Sequence, residues 1–425
     1  MAATTSFHCS FSIKKVDSSL QLSWNWNPSN ILIIHKRDDP AVFAGLQAMV
    51  CYLLKYYDVC VMLEEFSLHE LQKDEDFERI VSAHLNSHPV TANLDNNTNS
   101  STATVRPLLR HPEDPDLHLL HGDWWKSDVG WKNPNSTLVV FDSQLATKPC
   151  LTDLVICLGG DGTLLHVTSI FQNTVPPILS FYMGSLGFLT PFNFEHFPQI
   201  IRQILLEGGP CMLRSRLCCR VIRRPGSDST SRSGSEDSSQ QSSSNSYHVL
   251  NEVTFSRGNC PFLSNLILKV DGKEVTSIQG DGLIISTPTG STAYSMSAGA
   301  SILNPGVPAL LITPINAHCL NCRPLVLPMD VTVEVSINPD ARTNAVYLSN
   351  DGRLRHRHIL RKGDRALITA SHYSVPCFCS ENKVADWFCD LANCLHWNVR
   401  HQQNEFNEAR FLPDRFHAFS TNHSG

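Results

Sequence analysis

Short apolar runs alternate with helical stripes in the first half of the chain. Apolar runs of strand length lie at residues 31–34, 59–62, 137–141, 154–157 and 178–181. Between the first two runs, apolar residues recur every three or four positions from Val42 to Leu54, as on one face of a helix. Strands that alternate with helices build a parallel sheet covered by helices on both faces. The pattern therefore predicts an α/β domain in the first half.

Beyond residue 211 the apolar runs follow one another without long helical stripes between them. They lie at residues 249–255, 266–270, 282–286, 331–337, 346–349 and 366–370. The dipeptide Asp271-Gly272 between two alternating runs is a strong signal for a tight hairpin. This half is predicted to be a mainly antiparallel β domain. Trp387, Leu391 and Leu395 then recur at helical spacing and predict a last helix.

These changes of pattern predict the boundaries of the domains. We expect an N-terminal extension at 1–28, an α/β nucleotide-binding domain at 29–195 with an irregular insertion at 84–135, a β-rich domain at 196–380, a C-terminal helix at 381–401 and a tail at 402–425. Serine dominates residues 226–246. Such a composition buries too little apolar surface to offset the entropy of ordering, so this segment is predicted to be a disordered loop.

Composition narrows the class of protein. The chain has 425 residues, 42% of them hydrophobic, and a net charge of −6. These values are typical of a globular enzyme with two domains and argue against a partner that is nucleic acid or an anionic membrane. No apolar run approaches the roughly 20 residues of a membrane-spanning helix. The odd count of 15 cysteines and a start unlike a secretory signal predict reduced thiols and a cytoplasmic location.

The pair Cys319 and Cys322 beside His318 allows a zinc site to be considered. A structural zinc site needs four ligands, and no second pair at matching spacing is evident near Cys377 and Cys379. Reduced thiols are the favoured interpretation, and no protein ligand for a metal is predicted.

The tetrapeptide Gly-Gly-Asp-Gly at 159–162 ends a predicted strand and opens a predicted helix. Such a junction can hold phosphate, because glycines let the backbone approach an anion and the first N–H groups of the helix point at it. Asp161 is informative because a carboxylate repels phosphate. It could accept a proton from a hydroxyl group or organise a metal ion. The turn could also merely connect a strand to a helix, and its spacing alone does not decide.

Two further motifs carry groups suited to a nucleotide. The run GDGLIISTPTGSTAY at 280–294 predicts a strand, a hydroxyl-rich turn and the start of a helix, with the flat face of Tyr294 available for a base. Asn251-Glu252, in an alternating strand, could bind sugar hydroxyls or the edge of adenine. Taken alone, this pair could lie on an exposed strand face, and Tyr294 could be a core aromatic.

Together these motifs resemble the NAD kinase family, whose members use ATP to phosphorylate the 2′-hydroxyl of the adenosine ribose of NAD. The similarity covers roughly residues 30 to 65 and 150 to 400, and it is to the cytosolic animal type. It extends through the runs at 184–192, 323–328, 386–388 and 395–398. The resemblance implies a Rossmann-like parallel sheet in the first domain, NAD binding by the β-rich domain, and a C-terminal helix that packs back on the first domain.

The resemblance also implies roles for single residues. Asp161 would be the catalytic residue, and the glycine loop would face the phosphates of both nucleotides. The residues implied to bind nucleotide are Gly159, Gly160, Gly162, Asn251, Glu252, Asp281, Thr292, Ala293, Tyr294 and Ser297. In similar proteins the residue that matches Asp281 helps to bind NAD from a neighbouring subunit, so a homo-oligomer, a dimer of dimers, is expected. ATP would be the phosphoryl donor and Mg2+ the divalent cation, with most of its ligands phosphate oxygens and water.

Two other functions compete with this interpretation. A related kinase that acts on a lipid hydroxyl should show an apolar acceptor pocket or a membrane-seeking helix, and it need not keep the TPTGSTAY run. A nucleotide-binding regulator without catalysis should have lost Asp161 or the Asn251-Glu252 pair. The sequence retains the TPTGSTAY run, Asp161 and the Asn251-Glu252 pair.

Overall fold

The computed structural model describes residues 10–16, 19–77, 79, 81, 136–142, 151–184, 186–224, 246–380 and 383–395. The predicted insertion at 84–135, residues 226–245 of the serine-rich segment and the tail at 402–425 lie outside the described residues. Ser246, the last residue of that segment, begins a strand. No helix in the described part of the chain is long and apolar enough to cross a membrane.

The described secondary structure comprises strands in both halves and helices chiefly in the first. The strands are β1 (Phe11–Val16), β2 (Ser19–Trp24), β3 (Asn30–His35), β4 (Cys60–Glu64), β5 (Thr137–Phe141), β6 (Leu154–Leu158), β7 (Ile178–Tyr182), β8 (Phe192–Asn193), β9 (Gly209–Arg214), β10 (Leu217–Ile222), β11 (Ser246–Val249), β12 (Glu252–Ser256), β13 (Ser264–Val270), β14 (Lys273–Gly280), β15 (Gly282–Ser286), β16 (Ala309–Ile315), β17 (Leu325–Pro328), β18 (Val333–Ile337), β19 (Ala345–Asn350), β20 (Arg353–Arg361), β21 (Arg365–Ala370) and β22 (Val375–Phe378). The α-helices are α1 (Pro40–Tyr56), α2 (Glu65–Leu71), α3 (Asp161–Ile170), α4 (Phe197–Glu207), α5 (Tyr294–Ser297) and α6 (Lys383–Leu395), and single 3-10 turns span Phe194–His196 and Thr289–Thr292.

The first sheet has ten strands in the order β1-β2-β9-β22-β7-β6-β3-β4-β5, and β8 pairs with β7. Strands β7, β6, β3, β4 and β5 run parallel, which confirms the predicted α/β domain. Their runs are apolar throughout because helices cover both faces of such a sheet. The carboxyl ends of β3, β6 and β7 therefore lie side by side at one edge, where α/β proteins bind their ligands.

Helix α1 is specified by its sequence. The carboxylate of Asp39 accepts a hydrogen bond from Ala41 N, and Pro40 occupies the first helical position. The predicted apolar stripe from Val42 to Leu54 is buried in the core of the first domain. This burial confirms the helix between the first two parallel strands.

The second domain consists of two six-stranded sheets. Their orders are β11-β10-β21-β18-β13-β14 and β17-β16-β15-β12-β19-β20, and the pairs in both are antiparallel. Alternate residues of both sheets meet in one apolar core, so the predicted antiparallel β domain is confirmed. Asp271 (φ 48°) and Gly272 (φ 77°) form the predicted two-residue turn between β13 and β14.

Four strands join the first sheet although their sequence did not indicate it. Residues 11–24 lie within the predicted extension, yet they form the hairpin β1-β2, which pairs with β9. Strands β9 and β22 fall within the range predicted for the β-rich domain, yet they pair with each other and β22 pairs with β7. These pairings join distant parts of the chain, which local periodicity does not report.

The C-terminal helix α6 packs back on the first domain, as the resemblance implied. Leu391 is 3% exposed, and the thiol of Cys394 donates a hydrogen bond to Leu186 O at 3.5 Å. The loop that contains Leu186 continues to Phe188 and Leu189, next to the glycine motif. The helix therefore supports a loop at the ligand-binding edge of the sheet.

Arg216, between β9 and β10, fastens helix α3 to the second domain. Its side chain is fully buried. The guanidinium donates to three backbone carbonyl oxygens, those of Tyr373 (2.6 Å), Phe171 (2.9 Å) and Asn173 (2.6 Å). Burial lowers its pKa to about 10. Phe171 and Asn173 follow the end of α3, so this one side chain fixes the helix that begins with the glycine motif.

Replacement of Arg216 should destabilise the fold strongly. In Arg216→Met three carbonyl oxygens lose their donor, and each unpaired buried group costs about 1–3 kcal/mol. We expect the free energy of unfolding in urea to fall by about 3 kcal/mol or more. Arg365→Met is the matched control, because Arg365 is exposed and forms an ion pair with Glu334, a loss worth about 1 kcal/mol or less. Equal effects of the two substitutions would contradict this role of Arg216.

Candidate functional site

The glycine motif lies at the carboxyl end of β6, between the ends of β3 and β7. Gly159 has a φ of 138°, and a Cβ there would lie 2.7 Å from Thr163 Oγ1 and 2.8 Å from Lys36 Cβ, so only glycine fits without strain. An added Cβ at Gly160 or Gly162 would meet no atom within 4 Å. The first glycine is therefore required by the fold, whereas the other two leave open space beside the first turn of α3.

Asp161 is the first residue of α3, and its carboxylate is held by the loop after β7. Oδ1 accepts a hydrogen bond from Leu189 N at 2.9 Å, and Oδ2 accepts one from Phe188 N at 3.2 Å. Burial raises the pKa of this carboxyl group, although the two N–H groups and the charge of Arg214 oppose the shift. Each oxygen keeps a lone pair beyond its one bond, so the group is oriented and can still accept a proton.

Gly187 allows the loop to approach Asp161 this closely. A Cβ at Gly187 would lie 2.2 Å from Asp161 Oδ1 and 3.0 Å from Thr190 Oγ1. The Thr190 hydroxyl is itself buried and has no hydrogen-bond partner within the described ranges. The run at 184–192 contributed to the family resemblance. Its physical role is to orient the Asp161 carboxylate through backbone N–H groups.

Arg214 connects the Asp161 loop with the TPTG turn. Its Nη2 donates to Phe188 O at 3.4 Å and its Nη1 donates to Thr289 Oγ1 at 3.5 Å. The side chain is 9% exposed, and its Nε atom is buried without a partner among the described residues. Arg214 therefore brings together Phe188 and Thr289, which stand 101 residues apart in the chain.

Asn251 and Glu252 lie at the start of β12 and are buried, at 8% and 5% exposure. The alternative of an exposed strand face is therefore wrong. Asn251 Oδ1 and Glu252 Oε2 have no hydrogen-bond partner in the described part of the chain. Buried polar atoms without partners are costly, so two such atoms in successive residues point to a ligand.

Asp351 holds this pair in place. Its Oδ1 accepts from Asn251 N at 2.7 Å and Glu252 N at 3.2 Å, and its Oδ2 accepts from Leu250 N at 2.9 Å. Burial raises the pKa of Glu252 to about 8, and the negative charge of Asp351 adds to the shift. Glu252 is therefore largely protonated at neutral pH and can donate a hydrogen bond as well as accept one.

The TPTG turn packs directly on Asn251. Thr287 N donates to Asn251 O at 2.9 Å, and Thr287 Oγ1 accepts from Gly290 N at 3.1 Å. A Cβ at Gly290 would lie 2.2 Å from Asn251 O. The glycine thus permits contact between the turn and the Asn251-Glu252 corner, which explains the residue type at this position.

The other predicted nucleotide-binding residues follow the turn. Thr292 and Ala293 are half-buried, while Tyr294 and Ser297 are exposed, Tyr294 at 45%. Tyr294 is thus a surface ring, and the alternative of a core aromatic is wrong. Asp281 lies elsewhere, at the entry to β15. Its carboxylate accepts from Arg257 Nε at 2.6 Å and Asn316 Nδ2 at 2.9 Å.

An open cleft of about 730 Å³ lies beside the glycine motif. Residues from both domains line it, and many are basic or glycine. They are His35, Lys36, Arg37, Asp39, Val42, Gly159, Gly160, Gly162, Thr163, His166, Met183, Gly184 and Arg353. Three glycines of the motif thus line this basic cleft.

Several of these residues were missed by reasoning from the sequence. A signal existed for Asp351, because the dipeptide Asp351-Gly352 stands between two strands, as Asp271-Gly272 does. Its φ angles of 48° and 71° are those of a tight hairpin turn. Arg214, His166 and Arg353 carried no local signal.

The described residues contain no group of three or more His, Cys, Asp or Glu side chains that could hold a metal ion. Cys319 is exposed and Cys322 is half-buried, and no disulfide bond joins the described cysteines. The arrangement thus offers a basic cleft, an oriented carboxylate and a buried polar corner, which suit a phosphorylated donor and a hydroxyl-bearing acceptor.

Comparison with known proteins agrees with this geometry. Residues 31–208 match the model of the ATP-NAD kinase N-terminal domain, and residues 250–378 match that of the ATP-NAD kinase C-terminal domain. The structure is similar to the crystal structure of a yeast NADH kinase complexed with NADH, with a TM-score of 0.69, 28% identity and coverage of 93% of this chain and 97% of that chain.

Named relatives give the same family. An ATP-NADH kinase of Saccharomyces cerevisiae is 43% identical over 254 residues, which cover 60% of this chain and 50% of that protein. An NAD(+) kinase of the same yeast is 44% identical over 254 residues, 60% of this chain and 47% of that protein. A probable chloroplastic NAD kinase of Oryza sativa is 41% identical over 255 residues, 59% of this chain and 24% of that protein. The match thus spans half or less of the length of these relatives, and the chain belongs to the ATP-NAD kinase family.

Proposed function

We propose that this protein transfers the γ-phosphoryl group of ATP to the 2′-hydroxyl of the adenosine ribose of NAD+, which gives NADP+ and ADP. The observation that carries the proposal is the position of the Asp161 carboxylate, oriented by Phe188 N and Leu189 N and joined through Arg214 to the TPTG turn. Membership of the ATP-NAD kinase family supports it.

Asp161 orients the acceptor hydroxyl in this proposal. Phosphoryl transfer passes through a loose transition state, so placing the ribose oxygen in line with the γ-phosphorus matters more than a strong base. The carboxylate accepts the hydroxyl proton late in the reaction. Burial favours this step because it raises the pKa of Asp161 and makes the group a better proton acceptor.

The buried corner at Asn251-Glu252 supports the choice of a ribose-bearing acceptor. Asn251 Oδ1 can accept a hydrogen bond from a sugar hydroxyl or from the adenine amino group, and protonated Glu252 can donate one. The exposed ring of Tyr294 offers a face on which a base can stack, and Thr292, Ala293 and Ser297 lie beside it. We assign NAD+ to this corner and to the Asp161 carboxylate.

We assign the donor to the basic cleft. Gly160 and Gly162 leave room for phosphate oxygens beside the N–H groups of the first turn of α3. Mg2+ would accompany ATP and neutralise charge on its phosphate oxygens, with water as its remaining ligands. We assign it no protein ligand, because Asp39, the one carboxylate among the described residues that line the cleft, pairs with Lys36 at 3.0 Å.

Assembly and location remain predictions. Asp281 is proposed to bind NAD+ across an interface between subunits of a dimer of dimers. The hydrogen bond from Asn316 Nδ2 orients the Asp281 carboxylate. A cytoplasmic protein of the animal type is the location and type that the sequence favours.

The two alternative functions are less well supported. A lipid acceptor would need an apolar pocket, whereas the proposed acceptor corner carries the buried polar side chains of Asn251 and Glu252. A non-catalytic regulator would not need an aspartate seated by two backbone N–H groups. Both alternatives also lack support from the names of the relatives.

The function is tested by incubating the purified full-length chain with Mg-ATP and NAD+ and measuring NADP+ with an NADP-specific dehydrogenase. NADH is a second acceptor in the assay, because one yeast relative and one similar structure are named for it. A parallel reaction contains diacylglycerol. We expect phosphorylation of the dinucleotide and none of the lipid, and transfer to the lipid alone would refute the proposal.

The substitution Asp161→Asn isolates the catalytic step. It keeps the shape of the side chain but removes the proton acceptor, so we expect turnover to fall by about two orders of magnitude or more, while the affinity for NAD+ stays within roughly tenfold. Steady-state kinetics and calorimetric binding of NAD+ measure the two quantities separately. Unchanged turnover would exclude Asp161 from the reaction.

Glu252 should make stability depend on pH. Its folded-state pKa of about 8 lies above its ordinary value of 4.5, so its contribution is fully present below the ordinary value and is lost as the pH rises through about 8. Between about pH 5 and about pH 8 we expect the wild type to lose on the order of 1–3 kcal/mol of unfolding free energy that Glu252→Gln retains. Urea unfolding at both pH values measures this. Exposed Glu207→Gln serves as the control and should follow the wild type; an identical pH dependence in Glu252→Gln would show that Glu252 is ionised.

A further inference from the structure

Three permanent cations line the basic cleft, and their charges are balanced differently. Lys36 Nζ lies 3.0 Å from Asp39 Oδ2, and Arg37 Nη2 lies 3.4 Å from Glu64 Oε2. Arg353 has no carboxylate partner in the described part of the chain. Burial raises the pKa of Asp351, two residues earlier, and the charge of Arg353 opposes this shift, but the oxygens of that carboxylate accept hydrogen bonds from backbone N–H groups. Among the described cations of the cleft, Arg353 therefore carries the charge that no carboxylate pairs with, and this charge is available to an incoming anion.

Arg353 reaches the cleft from the second domain. It is the first residue of β20, directly after the Asp351-Gly352 turn, and its guanidinium extends to helix α3 of the first domain. Nη1 donates to Ser169 Oγ at 2.7 Å, and Nη2 donates to His166 Nδ1 at 3.2 Å. The Ser169 hydroxyl in turn donates to His166 O at 2.8 Å. The guanidinium is thus fixed on the face of α3 that borders the cleft.

The imidazole of His166 continues this chain of hydrogen bonds. A guanidinium has only donors, so His166 Nδ1 must accept, and the proton of the neutral ring lies on Nε2. Nε2 then donates to Glu64 Oε1 at 2.9 Å, and this bond lowers the pKa of Glu64. These hydrogen bonds connect Glu64 at the end of β4, His166 on α3 and Arg353 in the second domain. They fix both the tautomer of His166 and the direction of the Arg353 guanidinium.

We propose that Arg353 binds the phosphate chain of the donor nucleotide, and that His166, oriented by Glu64, is a positioning residue that holds the guanidinium over the cleft. The inference rests on the proposed function, because it assigns the donor to this cleft. Two of the five N–H donors of Arg353 bind side chains of α3, so three remain for phosphate oxygens. A planar guanidinium can bind two phosphate oxygens at once, which a lysine cannot.

A purely structural role for Arg353 is the competing explanation. Its two bonds to α3 could simply join the domains. However, Arg216 already fastens the far end of α3 from a fully buried position, whereas Arg353 is exposed and lines open space. The exposed position favours a ligand over a second fastening.

Binding of inorganic tripolyphosphate tests the proposal without catalysis. The probe carries the phosphate chain but no base or sugar, and calorimetry measures its affinity for the full-length protein. We expect Arg353→Gln to weaken binding by about 10-fold or more, because it removes charged hydrogen bonds. Arg353→Lys should fall between the two. Arg365→Gln, an exposed arginine at the start of β21, is the matched control and should bind as the wild type does.

Kinetics provide the second reading. Arg353→Gln should raise the KM for ATP by a similar factor and leave the KM for NAD+ within about twofold, since Arg353 lines only the donor side. Equal binding of tripolyphosphate by the wild type and Arg353→Gln, or its failure to bind the wild type at all, would overturn the inference. If the wild type binds the probe and Arg353→Gln does not, yet no NADP+ is formed, the inference stands and the proposed function fails.

The positioning role of His166 has its own test. His166→Phe should weaken tripolyphosphate binding in the wild-type background and have no further effect in the Arg353→Gln background, because both changes act through one group. His166→Asn should restore part of the affinity, since its side-chain oxygen can accept from Arg353 near the place of Nδ1. Additive effects of His166→Phe and Arg353→Gln would refute a role through Arg353.

Discussion

The pair of hydrogen bonds from Phe188 N and Leu189 N to the Asp161 carboxylate is the contact on which the rest of the site depends. It fixes the first turn of α3 against the loop after β7, and it is possible only because position 187 is glycine. The same loop offers Phe188 O to Arg214, which reaches the TPTG turn. The carboxylate, this loop and Arg214 thus form a continuous hydrogen-bonded connection from the parallel sheet to the TPTG turn of the antiparallel domain.

The basic cleft and the Asn251-Glu252 corner differ in their electrostatics, as the proposed function with two substrates requires. The cleft carries arginine, lysine and histidine side chains, which suit a phosphate chain. At the corner, burial raises the pKa of Glu252 to about 8 and so reduces its negative charge at neutral pH. The hairpin turn at Asp351 and Gly352 contributes to both places. Asp351 orients the corner, and Arg353 lines the cleft.

Much of this arrangement follows from local sequence. The apolar runs and the stripe in α1 predicted the parallel sheet, the Asp271-Gly272 dipeptide predicted its hairpin, and the glycine motif marked the strand-to-helix junction. Local patterns say nothing of pairings between distant segments, so the hairpin β1-β2, β9 and β22 were not placed in the first sheet. The hydrogen bonds from Asn251 N and Glu252 N to Asp351 were also missed, because Asp351 lies about a hundred residues away in sequence. His166 and Arg353 meet only through the packing of two domains.

The central claim is that Asp161 lies beside the adenosine ribose and orients its 2′-oxygen. A crystal structure of the wild-type chain with bound NAD+ measures this directly. The account predicts a distance of about 2.6–3.2 Å between an Asp161 carboxylate oxygen and the ribose 2′-oxygen, with the sugar also in contact with the Asn251-Glu252 corner. A dinucleotide whose adenosine ribose lies outside hydrogen-bonding reach of Asp161, without a bridging water, would contradict it.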